Sequence, residues 1–344
     1  MPSAADQIAA RIAADGPLRF DEYMRLALYG EHGFYMVGGS AGRRGDFITS
    51  AEVGPLFGLV LSRLILAEWE RLGRPDGFTV VEAGAGPGTL ARSIGVGLAA
   101  SPLRARYVAV EVSASMRAAH PPGIESMAAM PHEAIVGVVL ANELLDNVPF
   151  RLLVFDGGWR EAYVGAEGTR LVEVLLPVEQ RPLWLPSTAP HGARIPWQQA
   201  ASAWVDSALG GLVAGRLTVI DYATPTTAEL ASMPWRAWLR TYRQHQRGAH
   251  YLVAPGGQDI TAQVALDQLR VPDVVETQAE FLGRWGIDEL VEEGRREWAV
   301  RASAPTVAAM AMRSRVREAD ALTALDGLGA FTALSWTLGG NRGG

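Results

Sequence analysis

The sequence predicts an α/β protein built on a mostly parallel sheet. Three observations carry the prediction. Short, apolar stretches at residues 78–82, 134–140 and 217–222 alternate with stretches of helical periodicity, as in βαβ units whose strands are buried on both faces. The first of them runs straight into the turn Gly84-Ala85-Gly86-Pro87-Gly88. The next strand-like stretch, 106–111, closes on an acid, Glu111.

Bulk composition bounds the rest. The 344 residues are 49% hydrophobic and 20% charged, which suits two domains or one large α/β domain carrying an insertion. A net charge of −6 provides no basic field for holding nucleic acid. The chain has no cysteine, which excludes disulfides, thiolate metal sites and cysteine nucleophiles. All 31 Lys/Arg positions are arginine, which excludes a lysine Schiff base and a P-loop lysine. The first 15 residues carry Asp6 and Asp15 and no long apolar run, unlike a signal peptide. Apolar runs such as 134–141 are too short to span a bilayer. A cytoplasmic chain without membrane insertion is therefore expected. The six histidines are scattered, and the spacing of His245 and His250 suits no zinc motif, so no metal is expected.

Taken in order, residues 3–14 form a first helix, stopped by Gly16-Pro17, and 20–29 a second. Residues 30–45 are a glycine-rich loop with a short ribbon at 34–36. The polar and aromatic cluster Gly45-Asp46-Phe47-Ile48-Thr49-Ser50 follows, where Thr49 or Ser50 can cap the next helix. That helix, 52–72, shows Leu56, Val60, Leu61, Leu64, Ile65 and Trp69 on one face, with Gly73 past its end. Strand 78–82, helix 89–99, strand 106–111, helix 114–119 and strand 134–140 complete a first half-sheet. The rhythm changes over 150–177, where alternating apolar runs around Asp156-Gly157-Gly158 predict antiparallel ribbons as an inserted β-rich subdomain. Helix 197–212 and strand 217–222 resume the sheet. Residues 233–257, rich in Arg, Trp, Tyr, His and Gly, read as a long functional loop with some helix. A helix at 261–269 with Asp259 as its N-cap, strand 273–277, helices 278–285 and 303–317, and strand 331–338 close the sheet with a hairpin at one edge. The organisation is thus an N-terminal helical segment (1–77), a first half-sheet (78–149), a β-rich insertion (150–200) and a second half-sheet (201–344) carrying the loop 233–260.

Chemistry concentrates at Glu82-Ala83-Gly84-Ala85-Gly86-Pro87-Gly88-Thr89. Glycines there let the backbone turn tightly and let a ligand approach the main chain. The following helix N-terminus supplies free N–H groups suited to a carboxylate. A dinucleotide fingerprint needs glycine at position 89, where this chain has Thr89. The pattern acid-x-G-x-G-x-G instead favours S-adenosyl-L-methionine, whose ammonium and sulfonium Glu82 can balance. A plain strand–helix turn is the alternative. Glu111, with Val112 beside it, stands where an acid can accept both ribose hydroxyls, or else is a solvated strand end. Asn142-Glu143-Leu144-Leu145-Asp146 follows a buried strand, at the strand ends where ligands of doubly wound sheets bind. Asn142, Glu143 and Asp146 are the candidate catalytic residues, able to hold a cationic acceptor; the alternative is a helix cap at Asn142 beside an acidic turn.

These residues resemble a known family, the MidA-like methyltransferases, whose mitochondrial members are arginine methyltransferases that help assemble respiratory complex I. The likeness rests on Glu22-Tyr23-Met24, Gly33-Phe34-Tyr35, Gly45 to Ser50 with Glu52, Trp69 to Pro75, the loop 82–90, Asn142-Glu143-x-x-Asp146-x-x-Pro149, Asp221-Tyr222, Pro255-Gly256, Asp259-Ile260-Thr261-Ala262, Phe281-Leu282 and Gly286-Ile287. It departs at Ala85 and Pro87, often Pro and Arg in the family, and at Leu144-Leu145, often two Phe. The resemblance implies a class I methyltransferase with a Rossmann-like sheet, and an N-terminal segment folded over the active site. It implies Phe47 and Thr49 as cofactor-side residues and Asp46, Asp259 and Thr261 as acceptor-side residues. It implies S-adenosyl-L-methionine as cofactor, S-adenosyl-L-homocysteine as product, and a protein arginine of a complex I subunit as acceptor, with a homodimer allowed. The rival readings are a small-molecule methyltransferase, a non-catalytic cofactor-binding assembly factor and, disfavoured by Thr89, a nucleotide-dependent oxidoreductase.

Overall fold

A computed structural model describes residues 3–37, 49–243, 246–304 and 306–339. The chain divides into two compact units. The sheet unit comprises Ile48–Glu143, Ala208–Asp221 and Pro272–Gly344; the ribbon unit comprises Met1–Phe47, Leu144–Ser207 and Tyr222–Val271.

Among the described residues the sheet unit holds seven strands: β1 (Thr79–Ala83), β2 (Arg106–Val110), β3 (Glu125–Met127), β4 (Ile135–Asn142), β5 (Leu212–Asp221), β6 (Val274–Thr277) and β7 (Thr332–Leu338). Their spatial order is β3-β2-β1-β4-β5-β7-β6. The first five pair in parallel, while β7 runs antiparallel to both β5 and β6. This is the α/β, mostly parallel sheet expected, with the closing hairpin inserted so that β7 is interior. The order reverses between β1 and β4, which makes their C-terminal ends the switch point where such sheets bind ligands. The sheet's middle needs glycine. A Cβ on Gly137 (φ +153) would sit 1.9 Å from the Thr79 carbonyl oxygen, and one on Gly215 (φ +137) would sit 1.7 Å from that of Gly137. Helices Leu56–Arg71 and Thr89–Leu98 meet through small residues: a Cβ on Gly58 would lie 2.4 Å from Ser93 Cβ, and one on Gly97 would lie 2.1 Å from Ser62 Oγ.

The ribbon unit is antiparallel, as the alternation over 150–177 predicts. Trp159–Glu167 pairs with Arg170–Pro177 on one side, and with Arg151–Phe155 and Leu18–Arg19 on the other; Arg194–Trp197 extends the sheet. A second ribbon joins Leu239–Arg243 to Gln246–Arg247 and to Asp259–Ala262. Its core includes Ile8, Phe20, Tyr23, Met24, Phe150, Trp238, Tyr251 and Ile260.

Several elements differ from expectation. Residues 261–269 are not a helix: Asp259–Ala262 and Val264–Ala265 are strands, followed by a 3-10 turn, Leu266–Gln268. All four residues of Asp259–Ala262 are buried, and the β-branched Ile260 and Thr261 suit a strand paired with Leu239–Arg243. Asp259 is therefore a strand residue, not a helix cap. The stretch 233–257 contains the helix expected within it, Trp235–Trp238, but also two strands, Leu239–Arg243 and Gln246–Arg247. The helix expected at 52–72 is split at Gly54-Pro55 into Ser50–Val53 and Leu56–Arg71. Residues 34–36 form a turn, not a ribbon. Arg194–Trp197 is a strand, so the next helix begins at Gln199. Helix Ile287–Arg301 was not expected at all, and the helix placed at 303–317 runs Val307–Thr323. Asp46 and Phe47 lie outside the described residues.

Candidate cofactor cradle and acid clusters

The turn after β1 is shaped by its glycines, each used differently. Gly84, Gly86 and Gly88 all have positive φ, at 71°, 52° and 77°, where other residues are strained. Among the described residues a Cβ on Gly86 would meet nothing within 4 Å, so this residue presents bare backbone there. A Cβ on Gly88 would lie 2.8 Å from Pro121 Cδ, so here the missing side chain admits a neighbouring segment. The N–H groups of Gly84 and Ala85 both donate to the Val110 carbonyl, at 2.9 and 3.0 Å, tying the turn to the end of β2.

Two acids flank the turn. Glu82 is buried in β1, and its Oε2 accepts from the Tyr107 hydroxyl at 2.6 Å. Burial raises its pKa to about 7, against the Tyr107 hydrogen bond, which favours the charged form. Glu111 is also buried; its Oε2 accepts from Gly86 N at 3.0 Å and its Oε1 from Ser113 N at 2.8 Å. Each oxygen keeps a second lone pair. Val112, next in the chain, is 50% exposed and offers an apolar surface beside that acid.

Asn142 and Glu143 leave β4 level with this turn, because Ala141 is paired with Ala83, the residue before Gly84. Glu143 has φ +51, uncommon for a residue with a side chain. Its N–H donates to the Ile220 carbonyl at 2.8 Å. Its Oε1 accepts from Ser50 N at 3.0 Å and from Asn142 Nδ2 at 3.1 Å. Asn142 Oδ1 is buried without a hydrogen-bond donor among the described residues. Behind Ser50 the network continues: its Oγ donates to Gln278 Oε1 at 2.8 Å, and Gln278 Nε2 donates to the Leu322 carbonyl at 2.9 Å. Thr49 is buried at the N-cap of helix Ser50–Val53, without a side-chain capping bond among the described residues.

The remaining expected residues gather in the ribbon unit. Asp146 Oδ2 accepts from the Thr261 hydroxyl. Asp259 Oδ1 accepts from Tyr35 OH and from Asn147 Nδ2, both at 3.0 Å. Burial raises the pKa of both acids, and the charge of Asp146 raises Asp259 further. The structure thus brings Glu82, Gly84, Ala85, Gly86, Gly88, Glu111, Val112, Thr49, Asn142 and Glu143 into one unit, and Asp146, Asp259 and Thr261 into the other. Sequence reasoning missed Tyr107, Ser113, His120 and Gln278 in the first group and Asn147 in the second; it named Ser50 only as a candidate helix cap and Tyr35 only within a resembling motif. Only Ser113, two residues past a strand-end acid, carried a local signal. Among the described residues no group of three or more His, Asp or Glu could hold a metal ion.

A family model described as "Putative S-adenosyl-L-methionine-dependent methyltransferase" matches residues 60–283. The chain belongs to this family. A solved protein of Burkholderia thailandensis, titled a "likely methyl transferase" and bound to S-adenosyl-homocysteine, is 27% identical, with a TM-score of 0.83, covering 97% of this chain and 91% of its own. A native structure from the same organism has 26% identity and a TM-score of 0.81, covering 97% and 91%. Among curated relatives, the mitochondrial protein arginine methyltransferase NDUFAF7 homolog of Drosophila melanogaster is 43% identical over 93 residues, 27% of this chain and 21% of the fly protein. The mitochondrial protein arginine methyltransferase NDUFAF7 of Homo sapiens is 38% identical over 85 residues, 24% of this chain and 19% of the human protein. The matches span about a fifth of the length of these curated relatives.

The fold is accordingly that of a class I methyltransferase, and S-adenosyl-L-methionine is the family's cofactor. The residues present fit it. Gly86 opens bare backbone to a ligand; among the described residues Asn142 Oδ1 has no donor, which an ammonium would supply, and the buried acid Glu82 has no ion pair.

Proposed function

We propose that this methyltransferase acts on a protein arginine, with the Asn142-Glu143 pair holding the guanidinium. The observation that carries the reading is the fixed Glu143 carboxylate, leaving β4 at the level of the glycine turn on β1. The arginine methyltransferase relatives supply the acceptor class. In this reading Gly84 to Gly88 receive the amino-acid end of the cofactor, with Glu82 balancing its positive charge. Glu111 accepts the ribose hydroxyls, and Val112 lies along the adenine. When bound, the sulfonium supplies a methyl group already activated for transfer.

The protein's own task is then positioning and charge. Proximity and orientation supply up to about 7–11 kcal/mol in ideal cases. A guanidinium has a pKa above about 12 and spreads one cation over three nitrogens. A carboxylate held by two N–H donors can engage that fork and bias electron density toward the attacking nitrogen. Asn142 orients the carboxylate by its own amide. The resemblance to the complex I assembly methyltransferases extends the proposal to a subunit of that complex as acceptor.

Incubating the protein with methyl-labelled S-adenosyl-L-methionine and host-cell lysate, then mapping the label by mass spectrometry, tests the reading. Label on arginine nitrogens of a protein is expected. Label confined to a small metabolite, or to another side chain, overturns the arginine assignment. Glu143→Gln should lower incorporation roughly 10²-fold, the scale on which mispositioning acts. Its affinity for S-adenosylhomocysteine should be unchanged. Wild-type incorporation by that variant removes Glu143 from the mechanism.

A further inference from the structure

We propose that His120 is a positioning residue for the cofactor, fixing the Gly86 carbonyl and with it the shape of the glycine turn. His120 lies beyond β2, after the short helix Ala114–Arg117, in the stretch His120-Pro121-Pro122-Gly123. Its Nε2 stands 2.9 Å from the Gly86 carbonyl oxygen. A carbonyl only accepts, so Nε2 carries the proton, which selects one tautomer. His120 Nδ1 is buried with no partner among the described residues. Among the described residues the ring therefore serves the turn through Nε2.

The contact completes a pattern. Gly86 donates its N–H to Glu111 Oε2, at 3.0 Å, and its carbonyl accepts from His120. Both polar atoms of this residue are held by the segment 111–120, while the direction a Cβ would take is open among the described residues. A peptide unit gripped on one side and bare on the other is suited to face a ligand without having to reorganise. The segment is itself tied down. Arg117 Nη1 donates to the carbonyls of Glu111 and Val112, at 2.7 and 2.8 Å, and Arg92 Nη1 donates to that of Ala119 at 3.2 Å. Pro121 and Pro122 restrict the backbone after the histidine. Pro121 Cδ fills the space where Gly88 has no side chain. Two of the three glycines of the turn are thus in contact with the His120-Pro121 pair.

Calorimetric titration of the full chain with S-adenosylhomocysteine tests this, comparing wild type with His120→Gln, His120→Asn and His120→Leu. A glutamine amide reaches about where Nε2 lies, whereas an asparagine amide reaches only to the position of Nδ1. His120→Leu and His120→Asn should each weaken binding about tenfold, the loss of one hydrogen bond of about 1.4 kcal/mol. His120→Gln should stay within about twofold of wild type. Equal weakening by Gln and Asn points to a merely structural ring and overturns the proposal, as does wild-type affinity in His120→Leu. If His120→Leu does not fold, the Gln/Asn comparison still decides. Nitrogen-15 spectra should show the Nε2–H tautomer, and an Nδ1–H tautomer would equally refute it.

Discussion

At Glu82 the apo protein carries a carboxylate that burial holds at about 7, above its ordinary 4.5. A raised carboxyl pKa means the folded state binds the proton more tightly than the unfolded one. The favourable contribution is complete below pH about 4.5 and is lost as pH rises through about 7, a swing of about 3 kcal/mol. The melting temperature of the apo protein should therefore fall more between pH 5 and pH 8 than that of Glu82→Gln. Parallel curves for the two proteins would show that Glu82 is not a buried titrating acid. The residues that the chain announced were those whose chemistry is local. Gly84, Gly86 and Gly88 were legible because positive φ is a demand on the residue itself. Glu111 was legible because a strand end is visible in periodicity. Tyr107 and His120 were not, since their partners lie 25 and 34 positions away and no pattern in the chain marks such pairings.

Helices and strands were legible where hydrophobic periodicity was strong. The apolar parallel strands and the 150–177 ribbons emerged as expected. Helix Ile287–Arg301 escaped because its charged sequence buries only Ile287, Leu290, Val291 and Gly294. Strand Asp259–Ala262 was mistaken for a helix start because an Asp before an apolar run is also what a cap looks like; its pairing with Leu239–Arg243 decided the matter. The split of the helix at Gly54-Pro55 has a visible cause: Glu318 Oε2 accepts the Leu56 N–H at 2.9 Å, starting a new helix there. The short piece before the break delivers Ser50 N to Glu143, and Gln278 anchors Ser50 from the start of helix Gln278–Arg284. Gln278→Met keeps the volume but removes both hydrogen bonds. It should lower methyl transfer about tenfold, for a positioning loss of about 1.4 kcal/mol, while leaving S-adenosylhomocysteine affinity intact. Full turnover in that variant would disconnect this helix from the acid. If Glu143→Gln is itself fully active, the fault lies instead with the role given to Glu143.

At the scale of the whole molecule, strand–helix alternation sufficed for the class of sheet, whereas the two-unit division required long-range contacts. The sheet's centre depends on Gly137 and Gly215, whose missing side chains let three neighbouring strands approach. Alanine at position 215 would need both a disfavoured φ and displacement of the Gly137 carbonyl. Gly215→Ala should therefore cost about 3 kcal/mol or more, read as a lower denaturant midpoint or as insoluble protein. A midpoint equal to wild type would mean the strands can part more easily than their spacing implies. A last consequence follows from β7, which lies between β5 and β6 although it comes after both in the chain. During synthesis β5 presents an unpaired edge, and β6 has no neighbour in the sheet, until residues 332–338 have cleared the ribosome. The slot stays vacant for more than a hundred residues of translation after β5, a window in which the open edge is exposed to mispairing.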